Sequence, residues 1–114
     1  MIQTQVFSVI GSKAYEFTCS SSASEAYTVP TDGPNVRITC EGPDDAFIVW
    51  GTSTAGLTCT VPTANTSGGT PANPGAMRIK AGAIEIFSIP GSAFAIRTAA
   101  GDSSAISMTF SPGI

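Results

Sequence analysis

Catalysis, metal binding or covalent attachment would have to be carried by three cysteines, one Ser-Lys neighbour pair and one pair of adjacent carboxylates, because the sequence contains no histidine. With histidine go the usual general base near neutral pH and the commonest zinc ligand. Cys19, Cys40 and Cys59 are 21 and 19 residues apart with no Cys-x-x-Cys pair, so the close ligand spacing of a zinc ribbon is missing. Each shares strand parity with apolar neighbours, which is how buried structural thiols are placed. A single disulfide stays open on spacing alone, and the odd count leaves at least one thiol free. Ser12 and Lys13 are adjacent, and neighbours on a strand point to opposite faces, which speaks against a Ser/Lys dyad. Asp44-Asp45 follow Gly42-Pro43 and read as turn-stabilising carboxylates, since calcium would need oxygen ligands from other loops. Asn65-Thr66-Ser67 matches a glycosylation sequon, but so short a pattern arises readily in a chain with 14 Ser and 14 Thr, and no secretory signal accompanies it. The expectation is a protein with no catalytic residue, no metal and no cofactor.

The elements that would position these residues are strands. Ile106, Met108 and Phe110 alternate with Ala105, Ser107 and Thr109; Val36, Ile38 and Cys40 alternate with Arg37, Thr39 and Glu41; Tyr15, Phe17 and Cys19 alternate with Glu16 and Thr18; Leu57, Cys59 and Val61 alternate with Thr58 and Thr60. Period two is the signature of a half-buried strand. Phe47-Ile48-Val49-Trp50 is a continuous apolar run, suited to a strand covered on both faces. Ile84 and Ile86 fall on one parity and Phe87 and Ile89 on the other, which predicts a bulge or a change of covering layer near Ile86. Turn residues punctuate the runs at Gly11-Ser12, Pro30 to Pro34, Gly42 to Asp45, Gly51 to Ser53, Pro90 to Ser92 and Ala100 to Ser103. The pattern predicts strands over 2–10, 13–20, 25–30, 35–41, 46–51, 57–62, 76–81, 83–90, 93–99 and 105–111, with no helix. The fold class is therefore all-β, an antiparallel β-sandwich that is jelly-roll-like.

At 114 residues the chain has room for one domain, spanning 1–114, with an arm at 1–5, a tail at 111–114 and a long loop at 62–76. Only 11% of residues are charged, against roughly 25% in an ordinary soluble domain, so Ser and Thr supply most of the surface polarity. A net charge of −3 with five Lys or Arg and no basic cluster argues against nucleic acid. No apolar run is long enough for a signal peptide or membrane span, so synthesis in the cytoplasm and no membrane partner are expected. Trp50 closes the most apolar run and reads as a core or interface anchor in preference to a sugar-stacking platform.

Pro34-Asn35-Val36-Arg37-Ile38, then Ala46 through Ser53, Ile84 through Pro90, Ala93 through Gly101 and the last strand through Phe110-Ser111-Pro112-Gly113 set a strand ending in aromatic-Gly-Thr/Ser before one ending in Ile-Pro. In this the chain, over roughly 34–114, resembles small all-β virion proteins of tailed bacteriophages, the head decoration or cement proteins among them. The resemblance implies a non-enzymatic role on the capsid exterior, fastening neighbouring major capsid proteins, as a trimer or dimer. A neck or tail subunit is the alternative within the same virion, and a carbohydrate-binding module the alternative from another class, which would need Trp50, Tyr15 or Tyr27 in solvent. Partner contacts are expected from the uncharged ends and the long loop, at Ile2, Gln3, Thr63, Asn65, Thr66, Asn73, Pro112 and Ile114.

Overall fold

In the computed structural model, residues 13–20, 25–30, 35–72 and 74–111 are described, and they contain no helix. The strands are β1 (Lys13–Ser20), β2 (Glu25–Thr28), β3 (Asn35–Pro43), β4 (Ala46–Gly51), β5 (Met77–Ile79), β6 (Ile84–Ser88), β7 (Ala93–Thr98) and β8 (Ser103–Ser111). They form two four-stranded antiparallel sheets, ordered β1-β8-β3-β6 and β2-β7-β4-β5, hereafter the first and second sheets. The neighbours β1 with β8, β2 with β7, β3 with β6 and β4 with β5 describe an antiparallel ribbon folded over on itself. The expected all-β sandwich is thus what the chain forms.

Alternation decides which side of each strand faces the gap between the sheets. Val36, Ile38 and Cys40 of β3 and Ile106, Met108 and Phe110 of β8 are all buried there. Ala46, Ile48, Phe94 and Ile96 meet them from the second sheet, and Phe17, Tyr27, Trp50, Phe87 and Ile89 pack around this core half-buried. Two central strands, β4 and β7, are also covered on their outer side. Phe47 and Ala95 face away from the main core, yet they are buried in a second cluster with Cys59 and Ala76, ringed by Leu57, Val49 and Val61. This explains the unbroken apolar run in β4 and the four consecutive buried residues Ala93 to Ile96 in β7.

The outer cluster corrects one expectation. Residues 57–62 are no strand; they run as an irregular segment across the outer face of the second sheet. Their period-two pattern is real, with Cys59 buried and Thr58 and Thr60 exposed, but a segment lying over a sheet can bury alternate side chains without entering a ladder. Its backbone is tied instead by the Ala76 amide, which donates to the Thr60 carbonyl at 2.8 Å, and the Cys59 Sγ donates to the Phe47 carbonyl at 3.3 Å. Gly75 permits the closure: a Cβ there would sit 2.7 Å from both Pro62 Cα and Pro62 N.

Of the two alternatives expected near Ile86, a bulge or a change of covering layer, the bulge is absent. Pairing of β3 with β6 runs without a shift from Asn35↔Ser88 to Thr39↔Ile84, and the irregularity lies in β3 between Cys40 and Gly42. The parity conflict has a different cause: Phe87 and Ile89 turn inward while Ile84 and Ile86 stand on the outer face, 55% and 54% exposed. Strands expected over 76–81 and 83–90 shorten to β5 and β6, and the one expected over 2–10 lies outside the described residues.

Phe110→Ala should lower stability by roughly 3–5 kcal/mol, measured as a shift of the denaturant midpoint; an unmoved midpoint would place the ring outside the core. Gly75→Ala should cost about 1–3 kcal/mol, because Pro62 and the Thr60 carbonyl leave no room for a methyl group.

Candidate functional site

Of the residues expected to contact a partner, the structure describes Thr63, Asn65 and Thr66, all exposed on the connection between the covering segment and β5. Asn65 Oδ1 accepts a hydrogen bond from the Ala72 amide at 2.7 Å, which pinches the protruding loop into a small polar hollow that Thr66, Ser67 and Thr70 help to line. Thr66 and Asn65 are therefore brought together, with Asn65 acting as the loop's clasp. Ile2, Gln3, Asn73, Pro112 and Ile114 lie outside the described residues, as does Ser12 of the Ser-Lys pair.

The groups with chemical potential are occupied structurally. Asp44 Oδ2 accepts from the Ser103 amide at 3.0 Å and Asp45 Oδ1 from the Ala81 amide at 2.8 Å, so the two carboxylates latch the β3–β4 turn to two distant turns instead of stabilising only their own. Arg78 Nε approaches Asp45 Oδ2 at 3.8 Å while its guanidinium lies 5.4 Å from the centre of the Phe47 ring. Among the described residues, no group of three or more His, Cys, Asp or Glu could hold a metal ion.

All three cysteines are buried free thiols. Cys40 Sγ lies 3.2 Å from Ser104 Oγ, a buried polar contact between β3 and β8. Burial pushes the thiols of Cys19 and Cys59 up to about 11, against an ordinary value of 9.0. A thiol so shielded is largely protonated at neutral pH, and the thiolate is the nucleophile. They are packing groups, as their parity in the sequence implied.

Two surface features went unread in the sequence. The first is an aromatic cleft of about 200 Å³ where the edge strands β1 and β2 face each other, lined by Tyr15, Phe17, Tyr27, Phe94 and Phe110. Tyr15 is 36% exposed but meets Phe110 edge-on at 5.8 Å, while Tyr27 stacks on Phe94 at 5.5 Å and Trp50 packs on Phe94 at 5.6 Å. No alternation pattern signals a cleft between two strands that are distant in the pairing order.

The second is the outer face of the first sheet. Two rows cross it, Ala14-Thr109-Arg37-Ile86 and Glu16-Ser107-Thr39-Ile84, fixed by the pairing registers. Four of these eight residues are Ala, Ser or Thr, two are exposed Ile, and one acid and one base complete the rows. The signal for this face was the parity conflict at Ile86. Compared with known protein families, curated proteins and solved structures, the chain matches none.

In native protein, Cys19 and Cys59 should stay unreactive toward a thiol reagent at pH 8, and all three thiols should titrate after unfolding. The unfolded chain releases these protons near 9 and the folded one near 11, so folded protein holds more protons in that window. Stability should be level below pH 9 and fall as pH rises toward 11; a rising curve would contradict the burial.

Proposed function

We propose that the chain is a non-enzymatic assembly subunit, which decorates a virion by fastening to neighbouring major capsid proteins on the capsid exterior. The observation that carries the assembly part of this reading is the outer face of the first sheet, which no other described segment covers. It presents Ile84 and Ile86 at more than half exposure beside Ala, Ser and Thr with a single acid and a single base, where the central part of the corresponding face of the second sheet is covered by the chain itself. A surface with few ions can be apposed to protein without desolvating many charges. Exposed aliphatic side chains on such a face are the composition of a contact surface.

The order β1-β8-β3-β6 over β2-β7-β4-β5 reads as a jelly roll, an architecture that serves both capsid and lectin domains. Fold alone does not choose between them. The resemblance of 34–114 to phage head proteins favours the capsid, on its exterior or at the neck or tail. The glycan reading rests on Tyr15, which is 36% exposed and whose ring stands at 71° to that of Phe110. On the capsid reading the pinched loop and the uncharged tail of the chain supply the capsid contacts.

Cosedimentation with tailed-phage capsids stripped of their decoration tests the proposal. The intact chain should bind, and replacing residues 64–72 with a short Gly-Ser link should weaken binding at least about tenfold, worth roughly 1.4 kcal/mol, with an unchanged melting temperature. Absence of capsid binding together with binding to a glycan array would put the lectin reading in its place.

A further inference from the structure

Among the described residues nothing covers the outer face of the first sheet, in a molecule that covers the central part of the equivalent face of its other sheet with its own chain. The geometry points to a second copy of this chain as its occupant, packed face to face about a two-fold axis that lies in the plane of the sheets and perpendicular to the strands. The inference deepens the assembly reading, for it names the surface through which two copies meet.

Three observations select this occupant and this arrangement. The first is the register. The rows Ala14-Thr109-Arg37-Ile86 and Glu16-Ser107-Thr39-Ile84 are adjacent and parallel. A two-fold axis running between them lays each row over the other row of the second copy. Ile86 then faces Ile84 of the second copy, and Ile84 faces its Ile86, so the exposed aliphatic groups cover one another. Small Ser107 and Thr109 meet at the centre, where no bulky side chain holds the sheets apart. Such an interface is isologous, each contact occurring twice.

The second is charge. The rows carry one base, Arg37, and one acid, Glu16, and neither forms an ion pair among the described residues. The same axis sets Arg37 in one row with Glu16 of the second copy, two strand spacings to the side and one sheet-to-sheet gap across, or roughly 14 Å between backbones. Two long side chains can bridge that gap above Thr109 and Ser107. A face bearing both signs in these positions complements itself; one bearing a single sign would need a foreign partner.

The third is the edge. The free edge of β6 could in principle pair with a second β6, but Glu85 shares the inward parity of Phe87 and would be buried by an added strand. An inward-pointing charge is a known guard against edge pairing. On the β6 side of the sheet, where Ile84 and Ile86 stand, the face is thus the open route. Its extent, roughly 19 Å across four strands and 20 Å along them, is about half the area per partner of a stable standard interface. The dimer is accordingly weak and reversible, in the range of about 10 µM to 1 mM.

Sedimentation velocity of the full chain from about 10 µM to 1 mM tests this. The intact chain should shift from monomer to dimer with concentration. Ile84→Ser with Ile86→Ser should raise the dissociation constant at least about tenfold without moving the thermal midpoint, since both side chains are largely in solvent in the monomer. Arg37→Glu alone and Glu16→Arg alone should each weaken association, and the two together should restore it to within about threefold of the original, well inside one tenfold step of affinity. A chain that stays monomeric throughout, a serine variant that dimerises like the parent, or a charge swap that fails to restore association each overturns the inference. Dimers that ignore capsids would leave this surface standing and remove the capsid reading; capsid binding by a strict monomer would do the reverse.

Discussion

The two sheets are joined by the ring of Phe94. It rises from β7 in the second sheet and meets Phe110 of β8 at 6.4 Å and Phe17 of β1 at 5.7 Å across the gap, with Tyr27 and Trp50 at 5.5 and 5.6 Å on its own side. Aromatic pairs at these separations add about 0.5–1.5 kcal/mol each beyond the area they bury. One side chain thereby couples five strands, and the alternation of every neighbouring strand must respect its position. The opposite flank is filled by smaller aliphatic groups such as Ile38, Ala46 and Ile79. Massing the rings near β1 and β2 also leaves the aromatic cleft at that flank, because rigid rings cannot close the last gap between two edge strands.

From this centre the layers differ in what lies outside them. The second sheet carries apolar residues on both sides of β4 and β7, so it requires a cover, and the segment 57–62 with Ala76 supplies it. The first sheet alternates cleanly and needs none for its fold. What it leaves outside, Ile84 and Ile86, has no intramolecular reason to be apolar. The contrast between a face that the chain covers and a face that no described segment covers is what the proposed intermolecular role is built on.

The polar groups are bound into the fold. Asp44, Asp45 and Asn65 are used as clasps between turns, the thiols are shielded, and among the described residues no buried side-chain nitrogen or oxygen lacks a hydrogen-bond partner.

Strand alternation, written in local sequence, determined the all-β class, the inward sets of β1, β3 and β8, the double covering of β4 and the buried thiols. That follows because a pleated strand sorts its side chains by parity whatever its neighbours are. Parity does not say what lies opposite. Leu57, Cys59 and Val61 have the pattern of a strand, yet they lie over a sheet, and only the course of the chain past Phe47 and Gly75 could decide it. The Ile84 and Ile86 parity is visible in the sequence, but whether a covering layer reaches that face depends on which strands are edges. The aromatic cleft and the two cross-sheet rows are of the same kind: they join residues of β1 with β2, or of β1, β8, β3 and β6, and such neighbours are set by long-range pairing, which no local window of sequence contains.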